Sequence, residues 1–233
     1  MNNIKNGIGV GSVQSSNLND DDRPYTDVEL PVASGHESIA FGKKVKATGK
    51  RSVAIGNGNT SSGNCSFVIG QSNTGTGSGS FTGGNGHTNL GNYTLVFGSE
   101  NSTNVGAHSS LIIGFRNKYT NVNSGQSQLG SALIGHRLES AYSNVTIVGS
   151  CNKDIPPQTI DGNPVNARFV VGNGTSDNSR SNAFEVYDDG RVKAYGTPIE
   201  STTYKFAKGL KERFGVIKGI TDRDYITNSY HVP

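Results

Sequence analysis

The sequence is poor in the residues that build a conventional globular core. It has no tryptophan, one methionine and two cysteines, and only 32% of its 233 residues are hydrophobic, whereas glycine occurs 32 times. An ordinary one- or two-domain protein of this length needs many more large apolar side chains to form its core. The composition therefore argues against a conventional core and makes an internal repeat the first feature to look for.

Further absences limit the classes of function. No apolar run reaches the length of about 18 residues that suggests a membrane span, and the N-terminus lacks the basic-then-apolar layout of a signal peptide. We therefore expect no membrane insertion and no export by the usual route. The formal net charge of +3 is small and gives no reason to expect nucleic-acid binding. Cys65 and Cys151 are expected to be free thiols, because a chain made in a reducing cytosol keeps its cysteines reduced.

A short apolar stretch ending in glycine returns eight times between His36 and Gly149. The successive spacings of the closing glycines are 14, 14, 14, 14, 16, 21 and 14 residues. A second glycine series lies about halfway between them, so each unit consists of two halves, each with a short strand and a turn. The closing glycines are Gly42, Gly56, Gly70, Gly84, Gly98, Gly114, Gly135 and Gly149.

A fixed short period indicates a stacked architecture in which each repeat contacts only its neighbours. Fourteen residues are too few for a helix pair but suit two strands of about five residues and two turns, stacked at roughly 4.8 Å. The sequence therefore predicts an all-β parallel β-roll whose eight coils form a rod of roughly 40 Å.

The strands of this roll are apolar on both faces. We expect the flanking positions, such as Ile39 and Phe41, to fill the inside of the roll, because alternate residues share a face. The position between them then faces outward and needs cover, which identical copies can supply, so the pattern predicts an obligate homotrimer. The candidate trimer-interface residues are Ala40, Ala54, Val68, Val96, Ile112, Leu133 and Ile147. Their increase in size along the chain predicts rolls that cross closely at one end and more widely at the other.

Residues 1–34 contain no repeat and little apolar content, and five acidic residues there face two basic ones. Such a segment cannot bury enough surface to fold alone. It is either a disordered tail or an extended anchoring peptide that orders against a partner. Two isolated hydrophobic residues between glycines at 6–12 favour the second interpretation, by strand addition or pocket insertion.

The coils loosen between Gly98 and Gly135, where two connections are longer. Insertions of this kind in repeat proteins form surface loops that often bind partners. The insertion at 115–130 offers Arg116, Lys118 and Tyr119 as candidate host contacts, suited to a cell-surface glycan, although a bulge in the roll is an equal alternative.

The chain changes character after the roll at 35–152. Residues 153–196 contain one more coil-like stretch, FVVG, and a hairpin in which Asp189 and Gly190 form the turn. Residues 197–233 predict a small basic domain with a short helix, because apolar residues there recur at helical spacing. Its basic side chains add three candidate host contacts: Lys205, Lys211 and Arg213.

Two resemblances extend this interpretation. The alternation of SVAIG and ATG at 38–56 resembles the left-handed β-roll head of trimeric autotransporter adhesins of the YadA type, although the chain shows neither their signal peptide nor their membrane β-barrel. The stretch FVVGNGTSDNSRSNAFEVYDDGRV resembles a module near the ends of bacteriophage fibre and baseplate proteins. Together they imply a head or tail fibre of a phage virion, made in the host bacterial cytoplasm and anchored to other virion proteins through residues 1–34.

Catalysis is not expected. The serious alternative is a glycan-cleaving tailspike, which needs two carboxylates roughly 5 to 10 Å apart in a groove. Residues 36–149 contain only Glu37, Glu100 and Glu139, which lie in distant coils. The histidines show no metal-ligand spacing, and no cofactor is expected. A purely structural decoration fibre and a bacterial surface adhesin remain as further alternatives.

Overall fold

The computed structural model describes residues 7–10, 30–120, 130–160 and 162–195, which are built entirely from strands and turns. This part of the chain contains no helix, and thus none long and apolar enough to cross a membrane. The first strand, β1 (Gly7–Val10), precedes the repeats. Each coil then has one longer and one two-residue strand. The longer strands are β3 (Ser38–Lys43), β5 (Val53–Asn57), β7 (Phe67–Gln71), β9 (Phe81–Asn85), β11 (Leu95–Ser99), β13 (Leu111–Phe115), β15 (Ala132–His136) and β17 (Thr146–Ser150).

The two-residue strands occupy the second half of each unit, next to the second glycine series. Their brevity differs from the predicted five residues, because the two turns take up the remainder of the coil. The short strands are β2 (Val32–Ala33), β4 (Lys46–Ala47), β6 (Thr60–Ser61), β8 (Thr74–Gly75), β10 (Thr88–Asn89), β12 (Ser102–Thr103), β14 (Lys118–Tyr119) and β16 (Glu139–Ser140).

Stacking of the coils produces two parallel sheets. The longer strands pair in chain order within a 12-stranded sheet, and the short strands form an eight-stranded sheet. Register is kept from coil to coil, so that Gly42 pairs with Gly56 and Gly56 with Gly70. The predicted all-β solenoid with coils of about 14 residues is therefore confirmed.

The closing glycines are required by both backbone conformation and space. Gly56 has a φ of +115°, which L side chains rarely adopt, and a Cβ built there would lie 2.0 Å from the carbonyl oxygen of Gly70. The backbones of adjacent coils approach too closely at this corner to admit any side chain. This explains why a glycine occupies the next-to-last position of every longer strand from β3 to β17.

The interior of the roll is narrow and changes along its length. In the first coils it is lined by small residues, including Ala40, Ala47 and Ala54, whereas from Val96 onward larger side chains form one continuous cluster. Opposite side chains compensate for each other's size: Gly75 faces Val68, and a Cβ on Gly75 would lie 2.6 Å from Val68 Cγ2. The side chains from Ala40 to Ile147 do increase in size, as the sequence shows. Because they lie inside the roll, this increase changes the packing within each roll and not the spacing between neighbouring rolls.

A column of buried side chains joins the coils at the turn before each short strand. Asn73 donates to the carbonyl oxygens of Ile69 and Gly84, and its Oδ1 accepts from the backbone N–H of His87 at 2.9 Å. The same bonds recur at Asn101 and Asn117. The turn carbonyls are partly buried, so these amides satisfy backbone groups that have limited access to water. We call the buried residues at this position, Asn59, Asn73, His87, Asn101 and Asn117, the amide column.

The sheet does not end at the last regular coil. A two-stranded ribbon of β18 (Gln158–Ile160) and β19 (Asn163–Val165) is followed by β20 (Ala167–Asn173), which pairs parallel with β17 as the coil-like FVVG predicts. The chain then turns back through β21 (Asn182–Tyr187) and β22 (Val192–Ala194), which form the predicted hairpin around Asp189 and Gly190. Because β20, β21 and β22 continue the 12-stranded sheet, the roll and the hairpin share one sheet.

The opposite edge of this sheet is covered by the N-terminal segment. Strand β1 pairs parallel with β3, and Ile8 takes the register position of Ile39. The strand addition considered for residues 6–12 thus occurs within the chain itself. A short strand at this place protects the backbone groups of β3, which would otherwise form an open edge.

Candidate functional site

The outward side of the 12-stranded sheet carries two rows of apolar side chains. These rows flank the inward-facing residue of each longer strand, and several members are well exposed, among them Ile39 at 42% and Phe97 at 51%. The rings of Phe67 and Phe81 stack at 5.4 Å between centroids. We call this surface the outer apolar face. Its members with the largest exposed side chains are Ile39, Ile69, Phe81, Leu95, Phe97 and Ile134.

The predicted trimer-interface set lies on the other side of these strands. Ala40, Ala54, Val68, Val96, Ile112, Leu133 and Ile147 are all buried inside the roll, with at most 2% exposure. The assignment of the two faces was therefore wrong, since the flanking residues face outward. The physical reason is the narrow interior, which admits one side chain per longer strand and has no space for two rows that include phenylalanine.

Tyr119 is not available to a partner. It occupies the inward position of β14, is completely buried, and burial raises the pKa of its hydroxyl, opposed by hydrogen bonds to Ser131 and Ser110. The prediction placed it in an insertion, but β13 and β14 keep residues 111–119 in a regular coil. Residues 121–129, which hold most of the insertion, lie outside the described residues.

Arg116 and Lys118 are both exposed, as the prediction requires, but they differ in their surroundings. Arg116 sits in a left-handed turn, where its Nε pairs with Glu100 Oε2 at 2.5 Å and its guanidinium lies 4.8 Å from the ring centroid of Phe115. Lys118 projects from the outer side of the short sheet. The other three candidates, Lys205, Lys211 and Arg213, and the predicted short helix lie outside the described residues.

A cleft that sequence reasoning missed lies where the hairpin meets the connection after the last regular coil. It encloses about 460 Å³ and includes Lys153, Ile155, Gln158, Glu185, Lys193 and Tyr195 in its lining. We call it the hairpin pocket. Asn182 joins its two walls, because its amide exchanges two hydrogen bonds, both 2.9 Å long, with the backbone of Lys153.

Glu185 forms the floor of the hairpin pocket and is only 4% exposed. Its Oε1 accepts from Asn182 at 2.8 Å, and its Oε2 accepts from the hydroxyls of Tyr187 at 2.6 Å and Tyr195 at 2.9 Å. Burial and the neighbouring carboxylate raise the pKa of Tyr195 to about 12 and that of Tyr187 further still. Lys193 completes the cluster by donating to the Tyr187 hydroxyl at 3.1 Å.

A second carboxyl group, Asp154, also lines this pocket. Burial raises its pKa, while the backbone N–H groups of Ala141 and Ile155 donate to its two oxygens. The two acids are 31 positions apart in the sequence, and only the return of the hairpin onto the roll brings them to one cleft. No pattern in the sequence indicated this proximity.

Comparison with known protein families identifies the roll. Residues 33–59 and 47–73 match two copies of the YadA head domain repeat. These ranges cover the first coils, whose strand order and register continue unchanged to β17. The chain therefore contains a YadA-like β-roll, the type of shaft expected of an adhesin-like fibre.

A second similarity concerns the C-terminal end. Residues 178–233 match the family of anaerobic ribonucleoside-triphosphate reductase. The chain is 47% identical over 38 residues to that reductase from Haemophilus influenzae and 45% identical over 38 residues to the one from Enterobacteria phage T4. Each match covers 16% of this chain but only 5% and 6% of the respective reductases, which is too little to transfer an activity. No solved structure matches the chain.

Proposed function

We propose that this chain is the subunit of a homotrimeric, adhesin-like fibre of a phage virion. The observation that carries the proposal is the outer apolar face, which runs along the whole stack of coils. Monomeric soluble proteins rarely expose continuous apolar surfaces of more than a few hundred Å². Large side chains are exposed on this face in successive coils, for example Phe81 in β9 and Leu95 in β11, and a partner would cover them.

The period of this face favours a second copy as the partner. Its side chains recur once per coil in strict register. Another roll with the same coil spacing can therefore pack against it, with each coil contacting one coil of the partner. An identical chain supplies that spacing, and packing around an axis covers the face on every copy. The YadA-type head that the roll resembles implies three copies.

The virion assignment rests on the resemblance of residues 169–192 to modules of phage fibre and baseplate proteins. In this arrangement residues 1–34 attach the fibre to other virion proteins, and the C-terminal end projects toward the host surface. Arg116 and Lys118 keep their place as candidate host contacts, together with Lys205, Lys211 and Arg213. The fibre would assemble from chains made in the host bacterial cytoplasm.

A binding role is favoured over catalysis. Asp154 and Glu185 share a cleft, but each carboxyl oxygen already accepts a hydrogen bond from within the chain. A glycosidase needs one acid free to protonate the leaving group and one carboxylate free to act on the sugar or on water. Glu185 is only 4% exposed and accepts from Asn182, Tyr187 and Tyr195, so it is held within the fold, which favours a binding role.

Two neighbouring residues of β11 provide the test of assembly. Phe97→Asp places charges on the outer apolar face, so we expect a folded chain that no longer trimerises. Val96→Asp buries a charge inside the roll, so we expect loss of the fold itself. Native mass spectrometry and circular dichroism distinguish these results. A well-folded wild-type monomer at micromolar concentration would refute the trimer.

Attachment is tested separately by removing residues 1–34. The shortened chain loses β1 and β2, which exposes the edges of β3 and β4, but the eight longer strands and the outer apolar face remain. We therefore expect it to trimerise but to fail to decorate phage particles. If the shortened chain decorates particles normally, the attachment point lies elsewhere, and the C-terminal end becomes the next candidate for it. If particles without the fibre infect host cells normally, a purely structural decoration role replaces adhesion.

A further inference from the structure

We propose that the hairpin pocket binds an anionic saccharide, such as a sugar that carries a carboxylate. The proposal rests on the proposed fibre function, since it names the kind of surface polymer that the fibre would contact. It is carried by the arrangement of hydrogen-bond donors and acceptors around Glu185 and by the exposed ring of Tyr195.

The acceptors of the pocket are partly used by the chain itself. Both oxygens of Glu185 and both oxygens of Asp154 accept hydrogen bonds from side chains or backbone N–H groups. The Oδ1 atom of Asn182 accepts from the backbone of Lys153. Glu185 Oε2 accepts two hydrogen bonds and has no lone pair left for a ligand, whereas the other oxygens accept one each and can take one more.

Donors, in contrast, remain. Lys193 gives one hydrogen to Tyr187, and an ammonium group carries three. Lys153 is exposed and brings a second ammonium group, and Gln158 adds an amide. Arg180 also lines the pocket, so its three cations outnumber the carboxyl groups of Asp154 and Glu185 by one. The two ammonium groups can give charge-assisted hydrogen bonds to a ligand with negatively charged oxygens.

The remaining wall of the pocket suits a sugar ring. Tyr195 is 47% exposed, while its hydroxyl is fixed on Glu185, so its orientation is set before a ligand arrives. Ile155 and Pro156 extend the apolar part of the lining. A pyranose combines an apolar face with polar edges, and a rigid aromatic surface with charged groups at its border matches that combination.

The position of the pocket fits a contact at the end of a fibre. Its walls follow β17 and include β21 and β22, at the C-terminal end of the 12-stranded sheet. In a trimer three such pockets would lie near the projecting end. Weak single-site binding then gains from simultaneous contacts with a repeating polymer.

The experiment measures binding of tri-galacturonate and of its methyl ester to the full-length protein by isothermal titration calorimetry. The ester removes the negative charge of each carboxyl group and adds one methyl group to it. We expect the acid to bind at least tenfold more tightly than the ester, and added salt to weaken the binding of the acid. Equal affinities, or no binding of the acid at millimolar concentration, would overturn the proposal.

Variants locate the site. Lys193→Met and Tyr195→Ala should each reduce the affinity for tri-galacturonate at least fivefold, with unchanged trimer mass and an unchanged circular dichroism spectrum at the temperature of the titration. Lys46→Met, on the outer side of the short sheet, is the matched control and should leave the affinity unchanged. If Lys193→Met and Tyr195→Ala bind like the wild type, the ligand does not use this pocket.

The same calorimetric titration distinguishes a failure of the pocket proposal from a failure of the proposed trimer. The pocket lies within one chain, so the Phe97→Asp monomer should bind the trisaccharide with the same affinity per chain. It should lose only the enhancement seen with long polygalacturonate. Loss of trisaccharide binding in a folded Phe97→Asp monomer would contradict a pocket formed by one chain, even if the trimer is correct.

Discussion

The backbone N–H of Asn101 donates to the imidazole Nδ1 of His87 at 3.0 Å, inside the amide column. An N–H group must be the donor, so Nδ1 is unprotonated and the proton of the neutral ring resides on Nε2, which lies 3.0 Å from the carbonyl oxygen of Gly83. His87 is 1% exposed, and burial lowers its pKa, an effect that its hydrogen bonds to the backbone partly oppose. The His87 ring can therefore take the position that asparagine occupies in the neighbouring coils only when the ring is neutral.

This relationship predicts a loss of stability in acid. The unfolded chain protonates His87 near pH 6.5, whereas the folded chain does so only at lower pH, so the unfolded state binds more protons between these values. Stability should fall as the pH drops below about 6.5, by up to about 1.4 kcal/mol per pH unit for each chain.

The matched variant is His87→Asn, which restores the amide of the neighbouring coils and removes the titration. Urea unfolding between pH 8 and pH 5 should show a steeper decline for the wild type than for His87→Asn. The other histidines are common to both proteins and cancel in the comparison. If the free energies of unfolding of the two proteins decline equally with falling pH, His87 is not held as a buried neutral imidazole.

Two glycines near one turn should respond differently to substitution. Gly56→Ala should abolish folding, because its Cβ would lie 2.0 Å from a carbonyl oxygen of the next coil. Gly58→Asn should change stability by less than about 1 kcal/mol, since Asn tolerates its φ of +67° and the nearest atoms lie 3.6 Å away. Ser72 already adopts this conformation at the equivalent position, with a φ of +56°. Circular dichroism and thermal unfolding of the two variants provide the measurement.

Arg180 should be the most important cation for joining the hairpin to the roll. Its guanidinium is 17% exposed, donates to the carbonyl oxygen of Arg137 at 2.8 Å and pairs with both Asp177 and Glu139. Arg180→Ala should lower the free energy of unfolding by about 2 to 4 kcal/mol, because it removes charge-assisted bonds at a largely buried site.

The control for Arg180 is Arg51→Ala. Arg51 also forms a short ion pair, with Glu37 at 2.6 Å, but its side chain is 57% exposed. An exposed pair contributes little, so we expect a change below about 1 kcal/mol. Equal effects of the two substitutions would show that burial does not decide their strength.

The contact between Val68 and Gly75 predicts a compensating pair. Gly75→Ala should destabilise the roll by about 1 to 3 kcal/mol, because the added Cβ would lie 2.6 Å from Val68 Cγ2. Adding Val68→Ala should restore most of that loss, since the first coil already buries the combination Ala40 and Ala47. Chemical unfolding of the single and double variants tests this, and additive losses would contradict the proposed interior contact.

The sequence was sufficient to predict the coil but not the direction in which its side chains point. Glycines at a fixed period determine where the backbone turns, and the coils therefore follow from the sequence alone. Val96 and Phe97 are both apolar, so alternation separates them into two faces without showing which face is inside. That distinction depends on the narrow cross-section of the folded coil, which hydrophobicity does not encode.

The hairpin pocket was beyond sequence reasoning for a related reason. Asp154 and Glu185 belong to segments that meet only because β21 folds back on β20, and the antiparallel pairing there is interrupted by irregular register. The burial of Tyr119 could not be predicted from the sequence either. Its place in a polar, lengthened connection suggests exposure, although its position in β14 directs it into the interior.

The strict register of the coils also bears on how such a gene can change. Because each longer strand presents the same glycine and the same inward position to its neighbours, insertion or deletion of one whole unit leaves both ends of the stack intact. Unequal recombination between the repeated DNA segments would therefore yield folded proteins of different reach, each step altering the rod by roughly 4.8 Å. The length of the roll can therefore change in small steps wherever the interior side chains of the coils that become neighbours fit together.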